Sequence, residues 1–293
     1  MAENKKQHYV PQCYLRYFQF SKNEIYYFSK SSGLYTNKNI GSVCQIADFY
    51  TLYNSSDPLL IEKLLDRKEE SMLGLILDNA KKIVKTYNRS SNITFAEFKK
   101  FRKDIISRQI VIQYLRTPRY RESKIKNDML SIKYEINQLL SSNKSNFKVT
   151  EIGLTCDEPE VHSSVITSEE LIKNLTNELL TGTWELLYSL NADIYTSDEP
   201  VCIESFSNIP VSTCETLEYF ENVYYPLNPN LAIHIYRGKG TTPDRNDSFQ
   251  FKILDDTELK KLNLLIKQNA RDLVFSKSKF KYADNGKIED AEP

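Results

Sequence analysis

The chain has 293 residues, 40% of them apolar, with 39 basic and 39 acidic side chains that cancel to zero net charge. Length allows one large domain or two small ones, and this composition excludes collagen-like, low-complexity and disordered classes. Eight glycines leave little material for glycine-built phosphate cradles; no apolar run nears the roughly 18 residues of a membrane span, and the polar Met1–Gln7 start lacks a leader's apolar core, so a cytoplasmic protein without a membrane partner is expected.

In chain order, Pro11 suits the first turn of a short helix carrying Gln12, Tyr14, Leu15 and Phe18. Aromatic-rich runs at Glu24–Ser29 and Leu34–Asn37 flank Ser31-Ser32-Gly33 and predict a β-hairpin. Asp57-Pro58 reads as cap and first turn of a long amphipathic helix reaching about Tyr87, with Leu60, Ile61, Leu64, Leu65, Met72 and Ile76 at helical spacing. Thr94 and Glu97 form a capping box for a helix that Pro118 stops or kinks, and a third helix follows from Arg119 to Leu140. Ser141–Asn146 marks a loop. Thr167 and Glu170 suggest a second capping box and a helix to Leu180.

Short strand-like runs come next: Trp184–Leu190, Ile194–Ser197, Val201–Glu204, Val223–Tyr225, Leu231–Arg237 and Phe249–Leu254. Asp256 is placed to cap a closing helix bearing Leu259, Leu262, Leu265 and Ile266. Helices first and strands second predict an α+β fold, a helical basic N-terminal half packed on a mostly antiparallel sheet from the C-terminal half. One domain over 1–293 is expected, with subdomains 1–141, mainly helical plus the hairpin, and 147–276, mainly sheet with flanking helices.

The neutral total conceals a division. Between Lys99 and Lys126 stand ten basic residues against two acidic ones, and between Glu151 and Asn222 fifteen acidic against one basic, Lys173. Either the two segments dock on one another or the basic one faces phosphate, and the first reading is favoured because nucleic-acid binders usually carry net positive charge. Five of the eleven arginines fall between Arg102 and Arg121, which keeps the second in play, since a guanidinium grips phosphate or carboxylate in two places. The five cysteines, Cys13, Cys44, Cys156, Cys202 and Cys214, contain no C-x-x-C pair, so neither a disulfide framework nor a zinc site is expected.

Two polar-aromatic clusters resist explanation by propensity: His8-Tyr9-Val10-Pro11-Gln12 and Thr196-Ser197-Asp198-Glu199-Pro200. As structure, Asp198 and Pro200 build a turn and His8 braces a helix start. As chemistry, Asp198 is a general base or a divalent-cation ligand, and His8 or His162 a proton donor near neutral pH. Glu69-Glu70 and Asp255-Asp256 are read as solvated pairs, because adjacent helical positions point about 100° apart. Trp184 is read as a core anchor, and Gly238-Lys239-Gly240-Thr241 as a turn, since it lacks the spacing of a phosphate loop.

These residues resemble the bacterial domain-of-unknown-function family 4238, whose members open H-Y-V-P-Q-x-Y-L; here the match is His8, Tyr9, Val10, Pro11, Gln12, Tyr14 and Leu15. Similarity extends through Phe49-Tyr50, Glu62 and Glu69, Gln113 with Arg116-Thr117-Pro118, Ser197-Asp198-x-Pro200-Val201 and Tyr225-Pro226-Leu227 to the Asn269–Ser276 segment. Cys13 replaces an aromatic of the pattern and Glu199 an asparagine. The resemblance implies a bacterial mobile-element or defence setting and supplies no reaction.

Three functional readings stand side by side. In the first, an enzyme acts on a phosphate-containing substrate, with Arg116 and Arg119 gripping phosphate, Asp198 as base or metal ligand and His8 or His162 as acid. In the second, Tyr9, Gln12, Gln113 and Ser197 join these residues in a non-catalytic module for a nucleotide, nucleic acid or protein. In the third they are internal braces, Arg116 pairing with an acid such as Asp198 or Glu62. A nucleotide- or nucleic-acid-directed protein is favoured; whether it is an enzyme, which cofactor it uses and its oligomeric state are not legible.

Overall fold

The structure is a computed structural model that describes residues 6–91, 101–143, 148–150, 158–205, 217–238 and 249–280. It is an α+β fold, with helices mostly in the N-terminal half and largely antiparallel sheets in the C-terminal half. The first strand, β1 (Lys6–His8), pairs antiparallel with β4 (Gln45–Ala47). Between them lie the one-turn helix α1 (Gln12–Leu15), with Pro11 at its N-cap, and the hairpin β2 (Glu24–Ser29) and β3 (Tyr35–Asn39). The hairpin is where the sequence places it; its tip uses Gly33 at a φ of 67°, a left-handed conformation that glycine adopts without steric cost.

A continuous helical run follows as α2 (Leu60–Leu64), a π-helical segment Leu65–Glu70 and α3 (Ser71–Ser90). The apolar stripe Leu73, Ile76, Leu77, Ala80 and Ile83 recurs at three- and four-residue steps and is the buried face of α3. The next helix, α4 (Lys103–Leu115), is buried nearly all round, Ser107, Gln109 and Gln113 included, as suits a central helix. Pro118 opens α5 (Pro118–Ser142), and Thr117 caps it by accepting from the Tyr120 amide. Proline at the first helical position loses no bond, so it separates two helices instead of kinking one.

Two helices occupy the segment before the main sheet. The sequence reading missed α6 (Glu158–Ile166); α7 (Glu169–Leu180) is capped by Ser168, which accepts from the Leu171 amide. The Thr167–Glu170 box is therefore displaced by one residue: Thr167 donates to the Ser163 carbonyl and closes α6 instead. The main sheet has the order β10-β5-β9-β8-β7, with β5 (Thr183–Tyr188), β7 (Cys202–Ser205), β8 (Phe220–Asn228), β9 (Leu231–Tyr236) and β10 (Gln250–Ile253). All its pairs are antiparallel except β10 with β5, which run parallel. A second sheet, β3-β2-β11-β6, joins the N-terminal hairpin to the short β6 (Thr196–Ser197) and the last strand β11 (Leu273–Ser276). The closing helix α8 (Asp256–Asn269) is capped by Asp255 in a full capping box with Glu258, one residue before the expected Asp256.

One core cluster runs from Tyr9 to Phe275, drawing on α1, α3, α4, α7 and the main sheet. Trp184 is buried there, its indole N–H donating to the Leu179 carbonyl at 3.2 Å. The expected Thr94–Glu97 box, much of the Ser141–Asn146 loop and most of the Gly238–Thr241 turn lie outside the described residues. No described helix is long and apolar enough to cross a membrane.

Candidate functional site

A cleft of about 710 Å³ opens beside α1 and the α2–π–α3 run, with His8, Gln12, Cys13, Glu62, Glu70 and Arg116 among its lining residues. The size falls in the usual range for small-ligand pockets. Along the helical wall Glu62, Asp66 and Glu70 recur every four residues, a spacing that gathers them on one face. The π segment lies within this wall, and such bulges often accompany functional sites.

The π segment also decides where the adjacent carboxylates go. Glu69 is 6% exposed and turns inward to α4, accepting from Arg108 Nη2 at 2.8 Å and Gln109 Nε2 at 2.7 Å. Glu70 turns to the cleft, accepting from Arg116 Nη2 at 3.2 Å and lying 3.8 Å from the Cys13 thiol. The reading of this pair as solvated is thus corrected: each carboxylate neutralises an arginine that α4 carries inward.

Arg116 and Gln113, three residues apart on α4, grip consecutive carbonyls of the opening motif. Arg116 Nη2 donates to the His8 oxygen at 2.8 Å, and Gln113 Nε2 to the Tyr9 oxygen at 3.2 Å. The Arg116 guanidinium is 3% exposed, and its own carbonyl accepts from the Tyr50 hydroxyl at 2.8 Å. Gln7 completes the clamp, donating to Thr51 and Glu62 and accepting from the Tyr50 amide. The main chain of Gln7–Tyr9 is therefore held from three sides, which fixes the His8 ring at the cleft wall.

The His8 imidazole keeps one nitrogen uncommitted: Nε2 is shielded from solvent yet has no hydrogen-bond partner. Burial pushes the ring below the ordinary histidine range, against a hydrogen bond to the Gly41 backbone and the nearby Glu70 and Glu62 carboxylates. Nε2 is thus a ring nitrogen at the cleft wall that the protein itself leaves without a partner. Burial likewise raises the Cys13 thiol to about 12, helped by Glu70, so Cys13 is a thiol and not a nucleophilic thiolate.

The second motif is built differently. Asp198 is 2% exposed, and its carboxylate accepts from the amides of Arg271 at 2.9 Å, Asp272 at 2.8 Å and Leu273 at 2.9 Å. Ser197 closes a tight turn with Glu199, its Oγ donating to the Glu199 carbonyl at 2.8 Å and accepting from the Glu199 amide. Asp198 does not line the cleft; its oxygens are occupied by the strand start they anchor, which is the bracing role. Arg119 is likewise turned away, donating to the side chain and carbonyl of Asn269. Glu199 faces the start of α5, close to Thr117 and the Arg119 amide, with Oε1 unpartnered. Burial raises it to about 7, against the Arg119 charge.

Of the remaining expected residues, Gln12 lines the cleft, and its Oε1 accepts from Arg16 at 3.4 Å. Tyr9 turns its ring into the core, against Phe49. His162 is 1% exposed, set against Phe49 and Tyr50, with Nε2 2.8 Å from the Leu115 carbonyl at the end of α4. Burial lowers its pKa to about 4, so it is a neutral brace, one ring behind the cleft wall. His234 lies elsewhere, on β9, between Tyr224 and Tyr236 and bonded to Glu185 and Asn222.

Much of the described part of the basic stretch is paired within the fold. Arg102 pairs with Asp104, Arg108 with Glu69 and Glu169, Arg121 with Glu158, and Lys124 with Asp128. Glu158 and Glu169 come from the acidic segment, so the two segments dock in part on one another. Among the described residues no group of three or more His, Cys, Asp or Glu side chains is placed to share a metal ion. Sequence reasoning overlooked Glu70, Asp66, Cys13 and Tyr50 as cleft residues; the four-residue recurrence of Glu62, Asp66 and Glu70 was the signal that marks their shared face.

Neither the curated proteins nor the solved structures include a match to this chain. The model of the family described as Protein of unknown function (DUF4238) matches residues 6–280. That span leaves out only the two ends, and the protein belongs to this family.

Proposed function

We propose that the cleft binds a small polar molecule and that His8 is its general base, with hydrolytic proton transfer as the reaction class. One observation carries this reading: His8 Nε2 has no partner inside the protein, in a ring at the cleft wall that burial pushes toward the neutral form beside Glu62 and Glu70. A neutral imidazole in that state takes a proton from water or a substrate hydroxyl, and the flanking carboxylates favour the imidazolium that forms. Arg116 acts through the backbone it clamps, as a positioning residue. Its Nη2 is taken by the His8 carbonyl and Glu70, which favours this positioning role over the phosphate grip read from the sequence. Phosphate-ester and nucleic-acid readings gain no support from Arg119 or from the partly paired basic stretch.

The test is a turnover screen with small ester, amide and phosphate-ester substrates, comparing the protein with His8→Gln. Loss of about 10²–10⁴-fold in kcat/KM, with an acid limb in the wild-type pH profile below the ordinary histidine pKa, is expected. Turnover that survives His8→Gln overturns the base. The non-catalytic alternative rests on the shielding of Nε2 from solvent; it is favoured if ligands perturb the His8 ring resonances without being turned over.

A further inference from the structure

A second lobe of about 590 Å³ adjoins the His8 cleft, and Cys13 and Arg16 line both. Its walls are α1, the middle of α3, the β8–β9 turn and the residue after β11; Gly74, Lys81, Asn228, Asn230 and Lys277 line it with Arg16. Three cations thus face one carboxylate, Asp78, and Asp78 already accepts from the Tyr17 hydroxyl at 2.6 Å. The His8 cleft has the opposite bias on its helical wall, with Glu62, Asp66 and Glu70 in a row.

At the turn, Asn228 is 6% exposed and its Nδ2 is a buried donor with no partner. The orientation of the amide is fixed by its other atom, since Oδ1 accepts from the Asn230 backbone amide at 2.9 Å. The turn itself is rigidly tied. Asn230 donates its side-chain amide to the Ser189 carbonyl and accepts from the Ser189 amide, and the Pro229 carbonyl accepts from the Ile194 amide at 2.7 Å. Opposite it, Gly74 interrupts a 20-residue helix at a place where an added Cβ would meet nothing within 4 Å. A glycine there weakens the helix, and its effect on shape is to leave the lobe open.

We propose that this lobe is a subsite for an oxyanion, a carboxylate or phosphate group, borne by the ligand of the His8 cleft. A fixed amide donor backed by lysine and arginine charge suits such a group, and the one carboxylate lining the lobe, Asp78, is outnumbered by the cations and already takes the Tyr17 hydroxyl. The identity of the ligand rests on the cleft reading above; anion binding itself does not require His8. The grip expected of Arg116 and Arg119 is thus provided by Lys81, Lys277, Arg16 and Asn228, and the ligand is elongated, its anion seated apart from the atom that His8 serves.

The full chain is titrated with inorganic phosphate and, separately, with acetate, following side-chain amide resonances by nuclear magnetic resonance, with sodium chloride as the ionic-strength control. Saturable movement of the Asn228 amide with either oxyanion and not with chloride is expected, and the stronger of the two identifies the group. The double variant Lys81→Gln/Lys277→Gln is expected to weaken it about tenfold or more. Gly74→Phe is expected to abolish it while the helical circular dichroism is retained. His8→Gln is expected to leave it within about twofold, so that failure of the base and failure of the subsite are separate results. No saturable response at Asn228, or affinity unchanged in both lobe variants, overturns the proposal.

Discussion

The two polar motifs look alike in sequence and are opposites in space. In the opening motif the main chain is clamped, and a side-chain nitrogen is left without a partner beside a cleft. In the Thr196–Pro200 motif the side chains do the clamping: Asp198 gathers three amides and Ser197 ties its own turn. A carboxylate that spends three acceptor sites on backbone amides, away from the cleft, is built to brace, whereas an imidazole held in place by its backbone keeps a nitrogen for a ligand. The direction of the hydrogen bonds, and not the residue types, separates site from brace.

The largest effect that tests this contrast is on stability. Asp198→Ala strands three part-buried N–H donors at the start of β11 and leaves a void at a buried side chain, and is expected to lower unfolding free energy by about 2–4 kcal/mol. Asp198→Asn, which keeps an acceptor, is expected to lie between the two. Chemical denaturation measures both. A loss under about 1 kcal/mol for Asp198→Ala would show that the amides find other partners and would break the bracing half of the comparison.

A slightly smaller effect is a pH dependence written by two buried groups of opposite sign. Glu199 titrates near 7 in the fold, above its ordinary 4.5, so the folded state binds the extra proton and stability falls as pH rises from 4.5 through 7. His162 titrates near 4, below its ordinary 6.5, so the unfolded state binds the extra proton and stability falls as pH drops from 6.5 through 4. Each amounts to about 3 kcal/mol over its full range, and across their shared window they oppose one another. Stability of the wild type is therefore expected to be nearly level between pH 4.5 and 6.5. Glu199→Gln removes one limb, and a stability rising with pH over that window is expected. Unfolding midpoints at half-unit pH steps check it; a level profile in Glu199→Gln contradicts the assignment.

Much of the fold was legible because its signals are local. The long helical run, the hairpin around Gly33 and the break at Pro118 each follow from spacing or from one residue's backbone limits, although Leu60 and Leu64, read as part of the apolar stripe, are exposed. What was missed is either weakly encoded or non-local. Helix α6 begins Glu158-Pro159, carries two serines and buries a short apolar patch, Val165 and Ile166, beside His162, which bonds to α4. The parallel β10–β5 pair and the joining of β11 to β2 depend on partners at least sixty residues away. Site legibility divides the same way. His8 and Arg116 do line one cleft, but the partner of Arg116 is Glu70, which comes from a different helix, so that the face of Glu70 was legible from spacing and its pairing was not.

Gly74 sharpens the comparison at the scale of about 1 kcal/mol. In a helix interior with free space around it, Gly74→Ala is expected to stabilise the protein by about that amount, because the alanine removes unfolded-state freedom and meets no neighbour. Thermal or urea unfolding reads the gain. A loss instead would mean that the helix needs glycine for its backbone, and not that the lobe needs the room.

The smallest stability effect is expected at His8, the residue given the largest chemical part. Its ring nitrogen Nε2 makes no bond that His8→Gln could break, and the glutamine amide keeps a donor for the Gly41 backbone. Unfolding free energy is expected to change by less than about 1 kcal/mol, with a gain as natural as a loss, because a buried unpaired acceptor is itself unfavourable. Asp198→Ala and His8→Gln then form a pair: one is costly to the fold and leaves the cleft residues in place, the other is nearly silent in unfolding and removes the base. If His8→Gln destabilises as strongly as Asp198→Ala, the imidazole belongs with the braces, and the distinction between the two motifs fails at the residue on which it depends most.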